Sequence, residues 1–337
     1  MTYPRLALRG LATIRHERFR LMRALSTSTL LFVPAMLIAI TMQPASWIFP
    51  FTLSAAYSMM IVLLAGRLSL ASLAGRLSLA SLAGLPAMQW LGHACAGQNW
   101  LMLPLLAGML LLMALSARRG LHKGMQFWVF CLLLSNMMPP QGMPASQHAL
   151  LALAGALYGL LLGRWGLRGW QRVLPGASPA DSRRYAWHLV LGGCLAWLAS
   201  ARMHLPHTWW LPVLVVGIID PSPQRMIWLV KERVYGTLAG GVMAAALAWW
   251  QPAPAIHMLI LCLSLTTALM LMQRSFRWFI AGLTLLVLSA MPVTQVQHGV
   301  VERVADTMLV GVLLGSLAWW LEMGVRQLRA QSQNKAG

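Results

Sequence analysis

Apolar runs of about 18 or more residues follow one another along most of this chain, the length a helix needs to cross the ~30 Å hydrocarbon core of a bilayer. We place such spans near 24–43, 47–65, 76–92, 99–117, 124–140, 147–164, 185–203, 208–220, 233–250, 254–272, 276–292 and 303–321, with the short eighth extending to about 225. The predicted class is all-α: a polytopic membrane protein of about twelve transmembrane helices. Composition agrees, since 58% of the 337 residues are hydrophobic and only 10% charged, where a soluble domain carries roughly a quarter charged residues.

A net charge of +19 raises the question of a nucleic-acid partner, because basic clusters are its electrostatic footprint. Here the basic residues are spread over many short gaps between apolar runs, so no nucleic acid is expected. The positive-inside rule accounts for the distribution. With the N-terminus in the cytoplasm, every Lys and Arg except Arg202 and Arg303 falls on the cytoplasmic side. Both termini are therefore predicted to be cytoplasmic. Residues 1–23 interleave six arginines with Leu, Ile and Phe and show no small-residue cleavage site, which reads as a basic amphipathic lead-in lying on membrane lipids.

The chain also repeats itself. "SWIFPFTLS" (46–54) matches "TWWLPVLVV" (208–216), and "LSNMMP" (134–139) resembles "LSAMP" (288–292), at an offset smaller by eight or nine. Between these landmarks "RLSLASLAG" stands twice in succession, at 67–75 and 76–84. Nine helical residues add about 13.5 Å and two and a half turns, which a span cannot absorb. One copy is an insert, and we expect the second in the bilayer and the first as a cytoplasmic extension. The predicted organisation is a lead-in 1–23, a first six-helix repeat 24–164 carrying the 67–75 insert, a basic linker 165–184, a second six-helix repeat 185–322 and a tail 323–337. Two parallel repeats about an axis along the membrane normal are a common transporter plan. Small residues four apart, at Ala80–Gly84, Gly155–Gly159–Gly163, Gly236–Gly240 and Gly311–Gly315, let helix backbones approach closely in lipid.

Cys95, Cys131, Cys194 and Cys262 are far apart in or beside apolar segments and show neither metal nor disulfide spacing. His93, His148, His204, His207, His257 and His298 fall near the outer ends of spans, as interfacial polar tips or as sensors of external acidity. His204-x-x-His207 is too weak a pattern for a metal. No phosphate loop, nucleophile elbow or paired catalytic carboxylates appear. No enzyme, cofactor or ATPase motor is expected.

"RVYGTLAGG" (233–241) follows a span with "WWLPV" and a break "DPSP" (220–223), and "RVADTMLVG" (303–311) opens a later helix with an arginine. These stretches resemble the fusaric-acid-resistance-like, or aromatic acid exporter, family, in which an Arg precedes a G-T-x-x-G helix. The resemblance is strong in the second half. It is weak in the first, where "RLSLASLAG" lacks the Gly-Thr pair. Members often carry large cytoplasmic domains, so this chain resembles a compact, membrane-only branch. The resemblance implies export of aromatic or other organic acids across the inner membrane, driven by the proton gradient, beside a periplasmic adaptor of the membrane-fusion type. Distant malate channels of plants imply passive anion conduction as the alternative. A non-transporting scaffold that docks an adaptor is a third, and a homo-oligomer is open.

Arg233, at the cytoplasmic start of its span, is either a snorkelling anchor or a cationic contact for a substrate carboxylate, which a guanidinium fork suits. Asp220 before Pro221 reads as a helix stop. Glu302 and Asp306 share a helix face with Arg303 about 100° round from Glu302. Glu302 and Arg303 read either as a headgroup ion pair or as part of a mechanism in which Arg303 contacts the substrate. Asp306 lies about a turn deeper and is the predicted proton acceptor, since ionisable groups in spans are functional by default.

Overall fold

The computed structural model describes residues 22–23, 25–27, 29–31, 34, 48–65, 73–137, 142–166, 176–203, 210–271, 275–289 and 293–334. Among the described residues there is no strand. Eleven α-helices follow in order: α1 Ile48–Ala65, α2 Leu73–Ala94, α3 Asn99–Ser116, α4 His122–Met137, α5 Ala145–Gly166, α6 Pro179–Met203, α7 Trp210–Ile218, α8 Pro223–Trp250, α9 Pro254–Leu271, α10 Phe276–Ser289 and α11 Val293–Asn334. The residues described between 22 and 34 are helical as well. Each expected span from 47–65 onward falls on one helix. Two stretches, Asn99–Arg119 and Ala145–Gly166, are by themselves long and apolar enough to cross a membrane.

Helix ends follow local chemistry, and four expected boundaries move because of it. Ser178 accepts the Asp181 amide and its hydroxyl donates to the Asp181 carboxylate, with Pro179 as the first helical residue. This capped start puts the last six residues of the expected linker inside α6. The described remainder, Gly176–Ser178, lies against the end of α3, where Ala177 N–H donates to Ala117 O at 2.9 Å. The eighth span does not reach 225. α7 stops at Ile218, and α8 begins at Pro223 because Ser222 accepts the Arg225 amide and Pro223 has no N–H to orphan. The ninth helix thus starts ten residues before the expected 233. At the other end, α11 continues to Asn334 through most of the expected tail. α2 begins at Leu73, inside the first copy of the duplicated nonapeptide; residues 67–72 of that copy lie outside the described residues, as do 1–21 of the lead-in.

Close backbone approaches at glycine set the directions of neighbouring helices. A Cβ on Gly155 or Gly159 of α5 would meet Phe51 O at 2.1 Å or Ala55 O at 2.0 Å, and one on Gly163 would meet Met59, so α1 and α5 run parallel with their backbones nearly touching. Likewise Gly236 and Gly240 of α8 face Arg277 O and Ala281 O of α10, again in parallel. α11 runs the other way along α8, with Val300 and Val304 beside Gly241 and Gly311 beside Val230 and Val234. The small-residue rows do what their spacing implies in an apolar solvent, letting backbones close without side chains between them. α2 packs on α4 and α5 as α8 packs on α10 and α11.

The largest apolar cluster joins α2, α3 and α4 to α6 and α7 through Leu85, Met102, Leu132, Leu189, Trp197 and Leu214. A second holds Leu31, Phe51 and Leu162 together with Leu265 of α9. The outer surface inverts the usual pattern: Leu112, Leu150, Leu161, Leu195 and Val312 are exposed, whereas Gln89, His148, Arg233, Thr237, Arg303 and Thr307 are buried. Continuous exposed apolar surface of this kind marks contact with a partner or a membrane.

Candidate functional site

Helix α7 is nine residues long, about 13.5 Å, and every residue from Pro212 to Ile218 is buried. Two arginines flank it. Arg303 of α11 lays its guanidinium over the Trp210 ring, Cζ 4.7 Å from the centroid, a cation–π contact whose strength grows as water is excluded. Arg233 of α8 reaches the other end. Its Nη1 is 3.1 Å from where a Cβ on Gly217 would stand, with Gln126 and Phe130 of α4 close by. The glycine makes room for the guanidinium.

Arg233 is 7% and Arg303 4% exposed, so both guanidiniums are enclosed by the protein. The early start of α8 at Pro223 places Arg233 two to three turns into the helix. The two charges lie within electrostatic reach of one another, and Asp306 acts on Arg303. Buried like charges this close are costly unless an anion joins them. Arg233 Nε has no hydrogen-bond partner among the described residues. Thr307, one turn on from Arg303, donates its hydroxyl to the Arg303 carbonyl at 2.7 Å. Glu302 and Asp306 are both half-buried, with Asp306 Oδ2 enclosed.

A second charged group lies where α4, α7 and α8 end or begin. Asp220, 7% exposed, has Oδ2 3.4 Å from Arg225 Nε and 3.8 Å from Lys123 Nζ. Its Oδ1 accepts the Ser222 amide at 3.2 Å. Asp220 does end the helix, as read from the sequence, but it also bridges α4 to the α7–α8 turn. Neighbouring His122 is buried against Tyr185, ring centroids 5.8 Å apart. Burial first, then the charges of Lys123 and Arg225, push the His122 imidazole down to about 3. Burial also lowers the Lys123 ammonium, with Asp220 opposing. Sequence reasoning missed Lys123 and Arg225, which it counted only as cytoplasmic charge. The available signal was a lone Asp between two apolar runs in a chain with seven acidic residues.

The histidines are not uniformly interfacial either. His148 is fully buried and contacts Gln89 Oε1 through Nε2 at 2.9 Å, while Gln89 donates to Ser54 Oγ at 2.8 Å. His93 sits edge-on to His148 at 5.0 Å. His204 and His207 lie outside the described residues. Among the described residues no three His, Cys, Asp or Glu gather at metal-binding distance.

A pair of enclosed guanidiniums beside an aromatic face, with a further cationic group at one end, is a chemistry for holding carboxylates or other small oxyanions. Comparison with curated proteins and with solved structures gave no match. A family model does match, over residues 195–318, a stretch that contains α7, α8, both arginines and Asp306. Over that stretch the family expected from the motifs is the one that matches: fusaric acid resistance protein-like.

Proposed function

We propose that the chain is a secondary exporter of small organic, chiefly aromatic, acids in the bacterial inner membrane. A transporter role is what the family indicates. The observation that carries the finer reading is the pair of buried arginines, Arg233 and Arg303, set about one short helix with Trp210 under one of them. A carboxylate between two guanidiniums relieves their repulsion, and an aromatic ring on the cargo finds a stacking partner in Trp210. In this reading Asp306, beside Arg303, takes the coupling proton and Glu302 assists it.

Twelve spans in two parallel six-helix repeats, with both termini cytoplasmic, complete the proposal. Exposed tryptophans support the spanning geometry. Trp228 and Trp249 on α8 are separated by about 31 Å of helix, close to the ~30 Å hydrocarbon thickness at whose edges Trp gathers. Lipid, a periplasmic adaptor and further copies of the chain are the partners this arrangement admits.

Reconstitution tests it. Counterflow of labelled benzoate in proteoliposomes should accelerate with benzoate on the opposite side, and Arg233→Gln and Arg303→Gln should each suppress it. Flux without trans acceleration favours passive anion conduction, a reading supported by the series of cations Lys123, Arg225, Arg233 and Arg303. Neither flux nor binding would leave a scaffold.

A further inference from the structure

The Asp220 group has features that a structural ion pair does not need. Its Oδ2 is buried, lies near two cations, and makes no hydrogen bond among the described residues. The nearer cation is 3.4 Å away and the other 3.8 Å, both outside the 2.7–2.9 Å of a well-made charge-assisted bond. Of the three charges acting on Lys123, one is anionic, Asp220, and two are cationic, Arg225 and Arg233. Around them, both ring nitrogens of His122, the Tyr185 hydroxyl and Arg233 Nε are buried with no partner among the described residues. Buried polar groups are seldom left this way. A small recess opens beside Asp220, bordered by Tyr185, His188, Pro221 and Met226.

We infer that Asp220 is a tethered counter-ion, whose carboxylate occupies among Lys123, Arg225 and Arg233 the place that a monocarboxylate cargo takes on entering from the cytoplasmic end. The site is a further binding site for the same class of substrate, so the inference rests on the organic-acid reading above. The exchange is between like groups. The cargo carboxylate arrives as Asp220 swings out on the short Asp-Pro-Ser-Pro turn, and total charge in the cluster is conserved. Lys123 belongs to α4 and Asp220 to the α7–α8 turn, so releasing their bridge also removes one polar tie between α4 and that turn. Arg233 acts electrostatically both on Lys123 and, with Arg303, along α7, so positive charge extends from this cluster to the Arg303 pair. The tether has a defined energetic effect. While Asp220 fills the site, apparent affinity is reduced by the fraction of time the site stands open.

Benzoate binding to the purified full-length protein in detergent, with benzamide as the uncharged control, tests the inference. Asp220→Asn should bind benzoate more tightly than wild type, by about tenfold if the carboxylate vacates the cluster one-tenth of the time. Lys123→Met and Arg225→Gln should weaken it. A structural pin behaves oppositely, since its removal leaves affinity unchanged or lowers it. Unchanged or weaker binding by a folded Asp220→Asn protein therefore overturns the inference, while suppressed binding in Arg233→Gln and Arg303→Gln would leave the organic-acid reading standing. If Asp220→Asn does not fold, Lys123→Met with Asp220→Asn removes both charges together. That protein must then bind benzoate more tightly than Lys123→Met alone, because only the competing carboxylate differs between the two; equal or weaker binding overturns the inference.

Discussion

Replacing Gly159 by Ala adds one methyl group where α5 meets the backbone of α1 most closely among the described residues. Its Cβ would stand 2.0 Å from Ala55 O and within 2.7 Å of the same residue's C and Cα, where ordinary contact begins at 3.4 Å. All three atoms are backbone, so no side-chain rotation relieves the clash. α5 must withdraw from α1 by roughly 1.4 Å, and a gap of even 0.5–1 Å forfeits a quarter to a half of each dispersion contact along the seam. Forced insertions of this size cost about 1–3 kcal/mol. Against that, Ala recovers up to about 1 kcal/mol of helix propensity over Gly. Gly108 on α3 is the control, because a Cβ there meets nothing within 4 Å and only the propensity gain remains. Unfolding of the detergent-solubilised protein should therefore separate the two variants by roughly 2 kcal/mol, with Gly159→Ala below wild type and Gly108→Ala at or above it. Equal stability of the two would refute the inference that backbone contact, without intervening side chains, holds α1 to α5.

Deleting residues 67–75 should leave membrane insertion and transport nearly intact, because the second copy of the nonapeptide alone restores the register of α8; loss of expression as severe as that from a nine-residue deletion within α8 would argue against an insert. Asp306→Asn should abolish proton-driven uphill export in vesicles while benzoate still binds, whereas Arg303→Gln should weaken binding itself, and undiminished uphill export by Asp306→Asn removes that carboxyl from the mechanism. The His122 imidazole lies at about 3 when folded against an ordinary 6.5, so below pH 6.5 the unfolded chain binds the proton and the folded one does not. Stability should then fall with pH between about 6.5 and 3, by at most ~1.4 kcal/mol per unit from this group, and a His122→Phe protein should show a shallower acid limb in the same unfolding assay.

The order of helices from residue 48 onward was readable because the apolar runs are long and the gaps between them hold Gly, Pro and charge. The rows of small residues also announced their packing, since Gly155, Gly159 and Gly163 have no other reason to recur at one helical face. Depth within a helix was harder to read. Hydropathy begins the ninth span at Arg233, because Lys231, Glu232 and Arg233 together look like an edge, yet Ser222 and Pro223 start the helix earlier. That difference places Arg233 inside the helix, where it is buried, instead of at its edge. Partners distant in sequence were not legible at all: nothing in "HKGMQ" indicates that Lys123 meets Asp220, or that His148 meets Gln89. Those pairings follow from how α4 lies against α7 and α5 against α2, which periodicity alone does not encode.

Helix α11 is 42 residues long, about 63 Å, roughly twice the ~30 Å thickness of a bilayer's hydrocarbon core. Arg303 lies near one end of that rod, beside Trp210, and about 46 Å of helix separates it from Asn334. A rod of this kind is a lever. Tilting it by about 10° around Arg303 carries its far end through about 8 Å, several times the shift needed to admit a carboxylate at the short arm. The far end of α11 is thus where a small event beside Trp210 becomes a displacement large enough for a distance probe, or another protein, to register.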